Sequence, residues 1–151
     1  MLDQNIFIKT PTLPGRGRKQ MRLAGELHEI NKTLECLCIT AKSRSKRIKM
    51  PEQFNLTIEY LHDLYNKQGG KCYYTGWQMS AASIGEINKT RTERINPFKI
   101  SVDRLDSTKG YSTDNVVLCC AWVNRAKGTA THKQFIDMCK AVVAMDKQSR
   151  R

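Results

Sequence analysis

Acidic residues are scarce in this chain. Its 151 residues carry 14 Asp and Glu against 26 Lys and Arg, a formal net charge of +12, and the pI is near 9.6. Such an imbalance predicts attraction to a polyanion, and nucleic acid comes first because neutralised phosphates release condensed counterions. A membrane surface would instead ask for a strongly amphipathic basic helix with an aromatic edge, a pattern not cleanly visible. Long apolar runs are missing too, which excludes a transmembrane helix of the usual length of about twenty residues. No basic segment followed by an apolar stretch opens the chain, which begins with Asp3 among polar residues. The expectation is therefore an intracellular, cytoplasmic protein without a secretory signal and without a membrane partner. Paired thiolates are the third absence. Of Cys36, Cys38, Cys72, Cys119, Cys120 and Cys139, two could begin a C-x-x-C knuckle, but Cys72 is followed three residues on by Thr75 and Cys120 by Val123. Two thiolates do not close a tetrahedral site, so structural zinc is not expected. The remaining cysteines read as small buried hydrophobes.

What is present divides the chain into three parts. Residues 1–20, with Pro11, Pro14, Gly15 and Gly17 among Arg16, Arg18 and Lys19, read as a flexible basic arm. Residues 21–70 read as a helical region that grips DNA. From Met21 to Ile48 the apolar positions Leu23, Leu27, Ile30, Leu34, Leu37 and Ala41 recur at spacings of three and four, one buried helical stripe. Its end is basic: Lys42, Arg44, Lys46, Arg47 and Lys49. This suits a helix C-terminus in solvent, but with the overall charge it reads rather as a ridge that meets phosphates. After Pro51, Thr57 caps a second helix with Glu59 in its first turn and Ile58, Leu61, Leu64 and Tyr65 on its apolar face, and Gly69-Gly70 ends it.

Residues 71–151 read as the functional core with a C-terminal helix. The segment Cys72–Gly76 forms a compact aromatic turn, and residues 80–98, with Lys89, Arg91 and Arg94, form a long excursion. Two β-like runs follow, 99–105 and 115–119, joined by a turn-rich loop through Lys109-Gly110. A helix from near Cys120 to Gly128 comes next. Thr131 then caps a last helix with Phe135, Ile136, Met138, Cys139, Val142 and Val143 expected inward. Trp77 and Trp122 read as core residues. His28 and His62 read as ordinary helix residues, and His132 sits at a helix start near the candidate site.

Within the β-loop-β-helix stretch, Asp103 lies near a strand end and Asn124 in the helix that folds back beside it. A carboxylate and an amide oxygen are hard ligands suited to Mg²⁺. The residues Ser101-Val102-Asp103-Arg104-Leu105-Asp106, Lys109-Gly110-Tyr111, Asp114-Asn115, Leu118-Cys119-Cys120 and Asn124-Arg125-Ala126-Lys127-Gly128 closely resemble the signature of HNH endonucleases, also called ββα-metal nucleases. The layout, with Cys72–Gly76 and the basic 41–49 segment upstream, is similar to HNH nucleases of phages and mobile elements.

The resemblance implies an α+β domain built on a ββα-metal centre, with flanking helices, that hydrolyses phosphodiester bonds of double-stranded DNA. It implies that Asp103 and Asn124 hold Mg²⁺ or Mn²⁺. Asn115 would brace the loop, and Lys127 would approach a phosphate. A single centre implies nicking by a monomer, or paired cuts by a homodimer. One departure stands out: the family places a histidine, its general base, directly after the aspartate, and here that residue is Arg104. A guanidinium keeps its proton at neutral pH but suits a scissile phosphate. The base is left open among a metal-bound water, Tyr111, Lys127 and His132. The alternatives are a non-catalytic nucleic-acid-binding module on a degenerate HNH scaffold and, from composition alone, an RNA-binding protein of ribosomal type.

Overall fold

The computed structural model describes residues 18–81 and 96–150, with 18–23 by backbone alone. The expectations for the arm up to residue 17, and for Lys89, Arg91 and Arg94 in the excursion, lie outside the described residues. Among the described residues the architecture is α+β: helices α1 (Arg18–Arg47), α2 (Ile58–Lys67), α3 (Ala121–Lys127) and α4 (His132–Ser149), and strands β1 (Ile100–Arg104) and β2 (Val116–Cys120). The strands form an antiparallel hairpin with Asp103 opposite Val117 and Ile100 opposite Cys120. Helix α3 follows β2 without a break, giving the order strand, loop, strand, helix.

The stripe on α1 buries Leu34 and Ala41, with Ile30, Leu37 and Cys38 packed at the margin of the core. The helix ends where Met50 N donates to Ser45 O and Lys49 N to Lys46 O, which satisfies terminal carbonyls as a Schellman turn does. Lys49 takes the left-handed position of that turn at φ +60°, a place usually given to glycine. In α2, Thr57 accepts the amide of Tyr60 as the expected cap, and Leu61 is fully buried against the sheet side. Gly69 and Gly70 both have positive φ and turn the chain toward the Cys72–Gly76 segment.

Strand β2 is buried at every position, as the continuous apolar run Val-Val-Leu-Cys-Cys requires of a strand covered on both faces. Part of its backbone is met by side chain. Gln68 donates from Nε2 to Leu118 O at 2.8 Å and accepts Leu118 N at Oε1 at 3.0 Å, so one amide acts as a short piece of neighbouring strand. Tyr73 N also donates to Leu118 O. These bonds fasten the Cys72–Gly76 turn and the end of α2 to the hairpin.

Three expectations need correction. On α4 only Phe135 is buried and Ile136 and Cys139 are partly so, whereas Met138, Val142 and Val143 are exposed. From Lys140 onward every described residue of that helix is exposed, because the helix extends past the body that its first turns pack on. Trp77 and Trp122 are about half exposed, not core. Cys36 is exposed, not buried. No helix among the described residues is long and apolar enough to cross a membrane.

Replacing Gln68 by Ala strips Leu118 N of its acceptor inside the fold. We expect a loss of about 1–3 kcal/mol in urea unfolding, the range for a buried group left unpaired. An unchanged midpoint would show that water reaches this edge.

Candidate functional site

Side chains alternate along a strand, so Ser101 and Asp103 share one face of β1 while Arg104 belongs to the other. On α3, Asn124 and Lys127 are three residues apart and share one helical face. The two faces meet. Asn124 Nδ2 donates to Ser101 Oγ at 2.7 Å and to Val102 O at 3.0 Å. One turn on, Lys127 Nζ lies 3.2 Å from Asp103 Oδ2 and donates to Arg104 O at 2.8 Å. Both side chains of this ion pair are inside, 0 % exposed for Lys127 and 5 % for Asp103. Tyr74, from the aromatic turn, donates its hydroxyl to Asp103 Oδ2 at 2.6 Å. Burial first, and then the hydrogen bond to Asp103 and its charge, push the Tyr74 phenol far above its ordinary pKa, so it remains a donor.

Lys127 is therefore a correction. The sequence expectation set it beside a phosphate, yet its ammonium points inward and neutralises Asp103. Arg104 is also displaced from the expected arrangement. Its Nη1 donates to Lys109 O at 2.7 Å and its guanidinium lies 5.0 Å from the centre of the Tyr111 ring, on the loop side of the strand. The expectation that Arg104 holds a phosphate beside Asp103 thus meets a side chain directed elsewhere by the strand's alternation.

Asn115 ties the loop between the strands. Its Nδ2 donates to Asp106 O and Gly110 O, and its Oδ1 accepts Asp106 N, all within 3.0 Å. The loop is also gripped from outside: Gly110 N donates to Gln53 Oε1, Thr113 N to Asn55 Oδ1, and the Tyr60 hydroxyl to Thr113 O. A side chain at residue 110 would put a Cβ 2.5 Å from Gln53 Cβ, so glycine there follows from close approach. The basic residues Lys42, Arg44, Lys46, Arg47 and Lys49 are all exposed at the end of α1. Through Pro51–Gln53 that end adjoins the loop carrying Lys109, whose side chain is 65 % exposed.

The two incomplete knuckles meet at their first positions, where Cys120 N donates to Cys72 Sγ at 3.4 Å. Burial raises the Cys72 thiol, but hydrogen bonds from the Thr75 side chain and the amides of Cys120, Thr75 and Tyr74 outweigh it, and the net shift is downward. Burial pushes Cys120 up to about 12, with Cys72 adding to the rise. Cys119 is raised further, by burial and then by the charge of Asp103.

Among the described residues no cluster of three or more His, Cys, Asp or Glu side chains is arranged to hold a metal ion. The oxygen atoms that could hold an ion such as Mg²⁺, which takes one or two protein oxygens and keeps waters for the rest, are those of Asp103 and Asn124. Val102 O can only accept, so the Asn124 amide must turn its nitrogen there and leave Oδ1 as the available ligand atom. Asp103 retains lone pairs beyond those used by Tyr74, although Lys127 is a competing cation on the same carboxylate.

Comparison of the chain with protein-family models, with curated proteins and with solved structures finds no match.

Sequence reasoning missed Tyr74, Ser101 and Gln68 as partners of the site. Tyr74 was read only as part of an aromatic turn, because its partner Asp103 lies 29 positions away in the chain.

The buried thiols set a pH dependence. Folded Cys119 and Cys120 hold their protons above the pH at which unfolded thiols, with pKa about 8.5, release them, so the unfolded state binds fewer protons. The contribution of these two thiols to unfolding free energy should then fall as pH rises above about 8.5, against an opposite contribution from the lowered Cys72 thiol, with a shallower fall in Cys119→Ala. Equal slopes in both proteins would remove this account.

Proposed function

We propose that the chain is a metal-dependent DNA endonuclease of the HNH, or ββα-metal, type that nicks one strand of duplex DNA. The observation that carries this reading is the convergence of Asp103, Asn124 and Lys127 between β1 and α3, on a hairpin whose loop is tied by Asn115. The spacing of these residues in the sequence supports the same assignment.

In this reading Asp103 and Asn124 hold Mg²⁺ or Mn²⁺ through Asp103 oxygen and Asn124 Oδ1. Bound there, the ion supplies charge stabilisation at the scissile phosphate. Tyr74 and Lys127 fix the Asp103 carboxylate in one orientation. Ser101 and Val102 O do the same for the Asn124 amide. Arg104, Lys109 and the exposed cations at the end of α1 contact DNA phosphates on the loop side, which positions the duplex without reading sequence. Lys89, Arg91 and Arg94 are assigned to the same grip.

The general base is His132. Tyr111 is buried under the Arg104 guanidinium and Lys127 is enclosed in its ion pair, which leaves neither open to water. His132 is exposed at the start of α4 and stacks on Tyr74 with ring centres 5.6 Å apart, one ring away from the phenol that touches Asp103. An imidazole nitrogen can accept a proton from water.

A second reading has a specific observation in its favour. Lys127 already neutralises Asp103, as a scaffold without a metal would need, so the same fold serves a non-catalytic nucleic-acid-binding module. Conversion of supercoiled plasmid to open circle separates the two. Nicking is expected with Mg²⁺ or Mn²⁺, none with EDTA and none with Asp103→Ala, and His132→Ala should slow it by about 10²-fold or more. Linear product would indicate paired subunits. Binding of DNA by wild type and Asp103→Ala alike, without cleavage under any condition, would contradict the nuclease and establish the module.

A further inference from the structure

Three large aromatic side chains on neighbouring segments stand in solvent: Trp77 at 50 %, Phe98 at 43 % and Trp122 at 57 % exposed. Trp77 and Phe98 meet edge to face with ring centres 5.6 Å apart. Backbone bonds join the segments that carry them. Ser80 N donates to Phe98 O, and Ile100 N to Ser80 O, which joins the Trp77 segment to residues 98–100. From the other side Ala121 N donates to Lys99 O and Trp122 N to Pro97 O. The segment 96–100 is thus hydrogen-bonded on one side to the Trp77 segment and on the other to the start of α3, so the three residues sit on adjoining backbone.

The segments 71–81, 96–102 and 115–125 carry Lys71, Lys99 and Arg125 and no Asp or Glu, while Glu26 and Glu29 of α1 line a cavity with Gln78, Met79, Ser80 and Ala81. Lys71 and Arg125 are exposed and Lys99 partly so. Open aromatic faces beside Lys71, Lys99 and Arg125 match a ligand that is both polyanionic and planar, which is the combination a single-stranded nucleic acid presents. Paired bases inside a duplex keep their faces stacked on each other and offer none.

We propose that Trp77, Phe98 and Trp122 form a platform on which unpaired nucleic-acid bases stack. Trp122 precedes Lys127 by five residues on α3, which puts the platform about 7 Å along the helix from the Asp103–Lys127 pair at about 1.5 Å per residue. The platform deepens the nucleic-acid reading above and rests on it. It adds a substrate class, DNA carrying unpaired bases next to the duplex held by the α1 ridge.

The chain has two tryptophans and both lie in the platform, so its intrinsic fluorescence reports on this surface alone. Titration with an oligo-dT strand should quench that emission. By anisotropy of labelled DNA, Trp77→Ala and Trp122→Ala should each weaken single-strand binding about tenfold and duplex binding less than about twofold, whereas Phe at either position should retain single-strand affinity. Matching thermal melts will establish that these surface variants are folded. Oligo-dT that binds without quenching, and binds the alanine variants as it binds wild type, overturns the platform and leaves the nucleic-acid reading standing. Failure of both single-stranded and duplex DNA to bind removes both. Emission that changes with protein concentration but not with DNA would make the surface a contact between proteins and overturn the proposal.

Discussion

Lys127 and Asp103 meet 3.2 Å apart with almost none of either side chain exposed, and the surrounding structure is organised to make that tolerable. Removing two charges from water costs several kcal/mol for each ion, and mutual attraction offsets this only when the remaining bonding capacity is also satisfied. Two bonds do this: Tyr74 donates to the carboxylate and Arg104 O accepts from the ammonium. The helix that carries Lys127 is also fastened one turn earlier by Asn124 to Ser101 and Val102. These contacts tie together the aromatic turn, β1 and α3. The pair therefore fixes the angle at which α3 lies on the hairpin, and the Tyr74 bond fixes the turn against both.

This arrangement bears on the proposed function. A carboxylate whose orientation is set by a phenol and an ammonium is pre-organised, as the proposed metal ligand would need to be. The same ammonium competes with any divalent ion for the same oxygen atoms. Around this pole the other functional elements fall into separate places. The loop tied by Asn115 and held by Gln53 and Asn55 joins the exposed cations of α1, while the aromatic surface carrying Trp122 lies at the opposite end of α3. One short helix links the two.

Much of this order was legible in the sequence because it is local. The Thr57 and Thr131 caps, the Gly69-Gly70 stop and the two short strands follow from side-chain chemistry within a few residues, and each lies within about two residues of its expected place. The Thr131 cap even carries its reciprocal Gln134 bond. What was not legible depends on partners distant in the chain. Lys127 looks like a phosphate contact at a helix end until Asp103 is folded onto it. Gln68 looks like an ordinary last-turn residue until β2 arrives beside it. The error on α4 has another origin: periodicity marks an apolar stripe, but it does not say how far the body beneath that stripe extends. Trp77 and Trp122 show the same limit, since a large aromatic side chain fits a core or a binding surface equally well.

A double-mutant cycle on the buried pair tests the account most directly. Asp103→Asn and Lys127→Met, singly and together, would be unfolded in urea at neutral pH. Each single change leaves one charge buried without its partner and should cost about 3–5 kcal/mol, while the double change should cost clearly less than their sum. Additivity of the two within about 0.5 kcal/mol would mean that the charges do not depend on each other, and it would contradict the central place given to this pair.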